Sequence, residues 1–117
     1  MKFEFEKKGR LLIVKITGEL DHHSAASLRE ETDREILGGS YNGLILDLSG
    51  LDMMDSSGIG IIMGRYRIME ASGGHLCVCS AKPPIKKIIL LSGLGKLIGI
   101  CEDIKSAAEM LNRKDSF

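Results

Sequence analysis

The chain has no tryptophan, and aromatic residues make up only 4% of its 117 positions. Its core must therefore be aliphatic, and it offers few rings on which a nucleobase could stack. Sixteen basic residues balance sixteen acidic ones, so the chain carries no net charge. Because a neutral chain lacks the cationic field that attracts nucleic acid or an anionic membrane, we expect neither as a direct partner.

Cysteine is also scarce, with three residues and no CxxC spacing. This pattern predicts neither a disulfide framework nor a zinc site, and we expect no metal or cofactor. Cys77 and Cys79 lie two apart in an apparent strand, where they should be buried thiols on one face. No apolar run reaches the roughly 18 residues of a membrane span, and the N-terminus lacks an apolar signal core. These features predict a cytoplasmic protein.

Hydrophobic periodicity predicts nine elements in the order ββαβαβαβα. We expect strands at about 2–6, 11–17, 44–48, 75–80 and 97–101, and helices at about 21–37, 57–71, 83–92 and 104–111. Strands that alternate with helices of this length imply parallel crossovers, and the first two strands should form an antiparallel hairpin. The predicted fold is a single α/β domain over residues 1–117, with a mixed, mostly parallel sheet and about four helices.

Few residues are spaced for catalysis or metal binding. The histidines at 22, 23 and 75 form no HxxxH pair and share no metal-ligand spacing with carboxylates. Ser56 and Ser57 lie outside a G-x-S-x-G nucleophile elbow. We therefore predict that the protein is not an enzyme, with Ser57 as a nucleophile being the catalytic alternative.

A glycine series at Gly58, Gly60 and Gly64 is superficially similar to a dinucleotide-binding fingerprint. In that fingerprint the glycines follow a strand directly, whereas here a connector intervenes and the phosphate-binding lysine is missing. A small-ligand or nucleotide-sensing domain is therefore the weaker alternative function. Gly60 and Gly64 would equally allow the helix to approach the sheet or another surface closely.

The helix after DSSG has two apolar faces when its residues are placed at about 100° each. The face that we expect to contact the core comprises Ile59, Ile62, Met63, Tyr66 and Met69. The opposite face comprises Ser57, Ile61, Gly64 and Ile68. An apolar outer face fits a docking surface for another protein, or one that a neighbouring element of the same domain covers.

Ser57 is well placed for a phosphorylation switch. It lies in the first helical turn, where backbone N–H groups are free and negative charge is tolerated. A phosphate there would add about −2 charge beside Asp55 and near Asp52, which a docking partner would have to desolvate. We expect Ser56 to lie nearer the core side and to serve as the helix N-cap, with Asp55 as the competing cap.

Three segments resemble the STAS-domain anti-anti-sigma factors of spore-forming bacilli. They are GELDHHSAASLRE (18–30), MDSSGIGIIMGRY (54–66) and SGLGKLI (92–98), and the resemblance covers nearly the whole chain. It implies the STAS fold, a mixed sheet with flanking helices. It also implies that the unmodified protein binds an anti-sigma factor, which is also a serine kinase, and so releases a sporulation sigma factor.

The resemblance further implies particular roles for residues. The kinase would phosphorylate the second serine of DSSG, which is Ser57, and a separate serine phosphatase would restore the protein. Acidic residues of the GELD loop, Glu19 and Asp21, would contact the anti-sigma factor, although Asp21 is also a good helix cap. The expected partner-binding residues are Glu19, Asp21, Asp55, Ser56, Ser57, Gly58, Ile61, Gly64 and Ile68.

Overall fold

The alternation of Phe3 and Phe5 with charged residues produces an edge strand, as its period of two predicts. In the computed structural model, which describes residues 1–115, β1 (Lys2–Lys8) pairs antiparallel with β2 (Leu11–Leu20). Gly9 adopts φ +61° in the turn between them, a conformation that side-chain-bearing residues rarely adopt. The predicted N-terminal hairpin is confirmed.

The remaining strands extend the sheet by parallel pairing. They are β3 (Gly43–Met54), β4 (His75–Cys79) and β5 (Gly99–Cys101). Within the described chain the strand order is β1-β2-β3-β4-β5, with every pair after the hairpin parallel. β3 is longer than predicted because its second half continues to pair with β2, as far as Met54 opposite Leu20. This extension carries the DSSG segment to the end of β2.

Helices cover both faces of the sheet. They are α1 (His22–Leu37), α2 (Ser56–Ala71), α3 (Pro83–Leu91) and α4 (Ile104–Asp115), with a short 3-10 helix (Leu94–Lys96) between α3 and β5. The first three pack on one face, where residues such as Leu28, Ile62 and Ile89 share one aliphatic core. α4 covers the other face through Ala107 and Leu111. The order of strands and α-helices agrees with the prediction, whereas the 3-10 helix was not predicted.

The cysteines behave as the sequence suggested. Cys77 and Cys79 are buried under α4, and Cys101 is half-buried beside them. All three thiols are free. Burial raises the pKa of Cys77 to about 12 and that of Cys79 to about 11, so both thiols stay protonated at neutral pH. They serve as small apolar side chains in the core.

An ion pair joins α1 to α2. Arg65 is only 4% exposed, and its Nη2 donates a hydrogen bond to Asp33 Oδ2 at 3.2 Å. Its Nε lies 2.7 Å from Asp33 Oδ1, an electrostatic contact whose angle is outside hydrogen-bond geometry. Nη1 donates to the Ile61 carbonyl at 3.3 Å. Burial lowers the pKa of the Arg65 guanidinium and Asp33 opposes that shift, so the charge is retained between the two helices.

Asp33→Asn should destabilise the protein by about 1–3 kcal/mol, because it leaves a buried guanidinium without its counter-charge. Arg65→Met should cost less, since it removes the buried charge and keeps apolar volume. Urea unfolding of both single variants and the double variant would measure the coupling. Glu30→Gln, on the exposed side of α1, is the matched control. An Asp33→Asn cost no greater than this control would contradict the assigned role.

Candidate protein-binding site at the start of helix α2

The first turn of α2 is fixed to the end of the sheet. Asp55 is the N-cap, and its Oδ1 accepts a hydrogen bond from the Ser57 N–H at 2.8 Å. The Asp55 N–H donates to the Leu20 carbonyl at 3.2 Å, which joins this turn to the end of β2. The sequence favoured Ser56 as the cap over Asp55, and this prediction is wrong because Asp55 holds the capping position. Ser56 is consequently the first residue inside the helix.

The two serines differ in exposure. Ser56 is exposed, so the prediction that it lies nearer the core side is wrong. It points outward because Asp55 takes the capping position and the helix begins at Ser56, one residue earlier than predicted. Ser57 is half-buried, and its backbone N–H is occupied by the cap. Neither hydroxyl hydrogen-bonds to any of the described residues.

The core-facing side of α2 agrees with the prediction at Ile62 and Met69 and differs from it elsewhere. Its buried residues are Gly58, Ile61, Ile62, Arg65 and Met69. Ile61 is only 4% exposed and belongs to the main core, so its predicted role as a surface docking residue is wrong. The helix is rotated relative to the prediction by somewhat less than one residue step of about 100°. The cause is α1, which covers this side of α2 through Arg65 and Asp33.

The other residues of the two predicted faces of α2 also differ from the prediction in their burial. Ile68 is half-buried and packs against the core, near the end of α1. Gly64 is half-exposed. Ile59, Met63 and Tyr66, expected in the core, are only partly buried. Of the two roles predicted for the second apolar face, cover by a neighbouring element of the same domain is therefore correct for most of its residues.

The outer face of α2 consists of Ser56, Gly60, Met63, Gly64 and Arg67. A Cβ built on Gly60 or Gly64 meets no atom within 4 Å, so these glycines do not serve a close approach to the sheet. Both lie inside the helix and not in a turn after a strand, so they do not form a phosphate-binding loop. They leave bare helix backbone on the surface, where another molecule could approach closely.

Gly58 has a different role from the other two glycines. A Cβ at this position would overlap Met54 and would lie 3.3 Å from Leu20 Cδ2. Gly58 is buried, so we correct its predicted role as a partner contact. It allows the first turn of α2 to lie against the ends of β2 and β3.

Acidic side chains collect at the same edge of the sheet. Glu19 is exposed at the end of β2, and Asp21 caps α1 by accepting a hydrogen bond from the Ser24 N–H at 3.0 Å. That hydrogen bond lowers the pKa of the Asp21 carboxyl. Because β2 is tied to the Asp55 N–H, the GELD loop lies beside the start of α2. Asp52 is also exposed here and pairs with Lys82.

This edge offers charge and hydroxyl groups but little else for chemistry. His75 lies at the other end of the sheet, opposite Gly43 in the first register position of β3. In residues 1–115 no three His, Cys, Asp or Glu side chains are grouped to hold a metal ion. None of the described helices is long and apolar enough to span a membrane. The arrangement suits recognition by another protein.

The sequence and the fold match a known family. The STAS domain model matches residues 2–107, and the chain belongs to the STAS domain family. It is 37% identical over 103 residues to the anti-sigma F factor antagonist of Paenibacillus polymyxa, a match that covers 88% of each protein. The resemblance to anti-anti-sigma factors is confirmed.

Two solved structures are similar to the whole chain. One is the anti-sigma factor antagonist SpoIIAA in its unphosphorylated form, with 29% identity, a TM-score of 0.80 and coverage of 99% of this chain and 98% of that one. The other is the Bacillus cell fate determinant SpoIIAA in the phosphorylated form. It has 30% identity, a TM-score of 0.74 and coverage of 93% and 98%. Both forms of that protein therefore share the fold described above.

The glycines of α2 provide a matched stability test. Gly60→Ala should stabilise the protein by up to about 1 kcal/mol, because alanine favours helix and its Cβ enters open space. Gly58→Ala should destabilise it, because the Cβ would displace buried Met54. Urea unfolding of the two variants measures both effects. Equal shifts for Gly58→Ala and Gly60→Ala would contradict the orientation of α2 described here.

Proposed function

We propose that the protein is an anti-sigma factor antagonist whose unmodified form binds an anti-sigma factor and so releases a sporulation sigma factor. The names of its relatives support this function. The structural observation that carries the proposal is the outer face of α2, which exposes Ser56 and bare backbone at Gly60 beside a group of acidic residues. The protein would act by binding and would catalyse no reaction itself.

The outer face of α2 is the docking surface of this proposal. Gly60 and Gly64 lack side chains there, so a partner can approach the helix backbone closely. Met63 adds partly exposed apolar area between them. Glu19 and Asp21, at the neighbouring GELD loop, would favour a partner with a basic surface through charge complementarity.

Phosphorylation at the start of α2 would control this binding. A phosphate adds about −2 charge in the first helical turn, where the helix dipole tolerates it. The charge would stand beside Asp55 at the border of the docking surface, and an approaching partner would have to desolvate it. The helix would persist, so control would be local blockade. SpoIIAA has this fold in both its phosphorylated and unphosphorylated forms, which supports a local mechanism.

Two serines are candidates for the acceptor. The sequence assigned Ser57, partly because Ser56 was expected nearer the core. Since Ser56 is the more exposed hydroxyl, it is the competing acceptor. The proposal also includes the modifying enzymes: the anti-sigma factor acts as the serine kinase, and a separate serine phosphatase restores the protein. We propose that all of this occurs in the cytoplasm, where the free thiols would remain reduced.

Mass spectrometry after incubation with the anti-sigma kinase and ATP identifies the acceptor. If Ser57 is the acceptor, as the sequence predicts, the wild type and Ser56→Ala gain one phosphate each, whereas Ser57→Ala gains none. The opposite result for the two variants would move the acceptor to the more exposed Ser56 and leave the switch intact. Phosphate on both single variants at sites outside DSSG would contradict the proposed switch.

Two substitutions of Asp21 can separate its role as the cap of α1 from its proposed role as a partner contact. Asp21→Asn should keep the cap of α1, since an Asn oxygen also accepts from the Ser24 N–H, but it removes the charge. We expect Asp21→Asn to weaken binding to the anti-sigma factor several-fold, more strongly at low salt, with no loss of stability. Asp21→Ala should reduce both binding and stability. Calorimetric titration in which Asp21→Asn binds like the wild type would show that Asp21 is a cap alone.

A further inference from the structure

A second surface differs in charge from the rest of the chain. Residues 82–101 contain four lysines and no aspartate or glutamate, although the whole chain is neutral. Lys82 pairs with Asp52. Lys86, Lys87 and Lys96 are exposed and form no ion pair with any other described residue. The segment that contains α3 and the 3-10 helix is therefore locally cationic.

The same segment exposes most of the large apolar side chains that reach the surface. Of six such side chains in the described part of the chain, four lie here: Ile88 (37% exposed), Leu90 (53%), Leu91 (77%) and Leu97 (48%). α3 anchors itself through Ile85 and Ile89, which are 1% and 0% exposed. Leu90 and Leu91 are thus not needed for packing α3 onto the sheet.

A concave space lies between α3 and the ends of two strands. Its volume is about 630 Å³, and it is lined by Lys86, Lys87, Leu90, Leu91, Pro83, Ala81 and Glu102. Ala81 follows β4 and Glu102 follows β5, so the groove is on the side of α3 near the β5 edge of the sheet. No residue of α2 lines it. This surface is therefore separate from the docking surface at α2.

We propose that this groove binds an acidic, amphipathic helix of a partner protein. Lys86 and Lys87 lie one helical turn before Leu90 and Leu91 on α3, so cations and apolar side chains share one face. A partner helix would place its apolar residues against the leucines and its carboxylates near the lysines. The groove has seven lining residues, against about 20–30 on each side of a stable interface, which fits a transient contact.

The structure favours a protein over an anionic membrane as the occupant. The groove is concave, whereas an interfacial helix buries a convex apolar face among lipid chains. The chain as a whole also carries no net charge to draw it to a membrane.

A synthetic helix tests the proposal on the full-length protein. The probe is a peptide of about 18 residues with leucine along one face and glutamate elsewhere, long enough to fold on binding. Amide shifts of the labelled protein should change around Leu90, Leu91 and Glu102 and leave the outer face of α2 unaffected. Binding should weaken with added salt, and the same peptide with lysine in place of glutamate should bind at least about tenfold more weakly.

Leu37 supplies a matched control for Leu91, since the two side chains are 76% and 77% exposed. Leu91→Ser should weaken peptide binding about tenfold and Leu37→Ser should not. Lys86→Glu with Lys87→Glu should have an effect of similar size, against Lys7→Glu with Lys8→Glu as the exposed control pair. Equal effects of Leu91→Ser and Leu37→Ser, equal binding of the basic peptide, or shifts confined to α2 would overturn the proposal. So would binding to phosphatidylglycerol vesicles in place of the peptide.

Discussion

The Asp55 cap is the interaction on which the candidate site depends. Its carboxylate holds the Ser57 N–H at 2.8 Å while its own N–H donates to Leu20 at the end of β2. These two bonds set where α2 begins and in which direction its first residues point. Ser56 turns to solvent and Gly58 turns to Met54 as a consequence. An added charge at this turn would therefore reach a partner's surface directly.

Packing between α1 and α2 decides which side of α2 a partner can reach. The Arg65–Asp33 ion pair lies between these helices and places Ile61 in the core. The outer face of α2 is narrow, and it has no side chains at Gly60 and Gly64. A bare helix surface gives close contact at low conformational cost, because there are few side chains to order. On this exposed face of α2, the positive side chain nearest to an added phosphate would be that of Arg67, about three helical turns away. The phosphate charge would therefore not be neutralised on this face.

Much of the fold follows from local sequence patterns. The alternation around Phe3 predicts β1, the paired glycines end α1 and α2, and the burial of Cys77 and Cys79 follows from their strand. The orientation of α2 could not be predicted in the same way, because both of its sides are apolar. The burial of Arg65 is not apparent from the sequence either, since an arginine in a helix normally faces water. Only the tertiary partner Asp33, distant in sequence, makes its burial possible.

The central claim is that charge at the start of α2 blocks a docking surface without altering the fold. Calorimetric titration of the anti-sigma factor with the unmodified and the phosphorylated protein tests this directly. The account predicts that the phosphorylated form binds at least about a hundredfold more weakly, the size expected for burying an unpaired charge, and unfolds at a similar urea concentration. Equal affinity of the two forms would contradict the account.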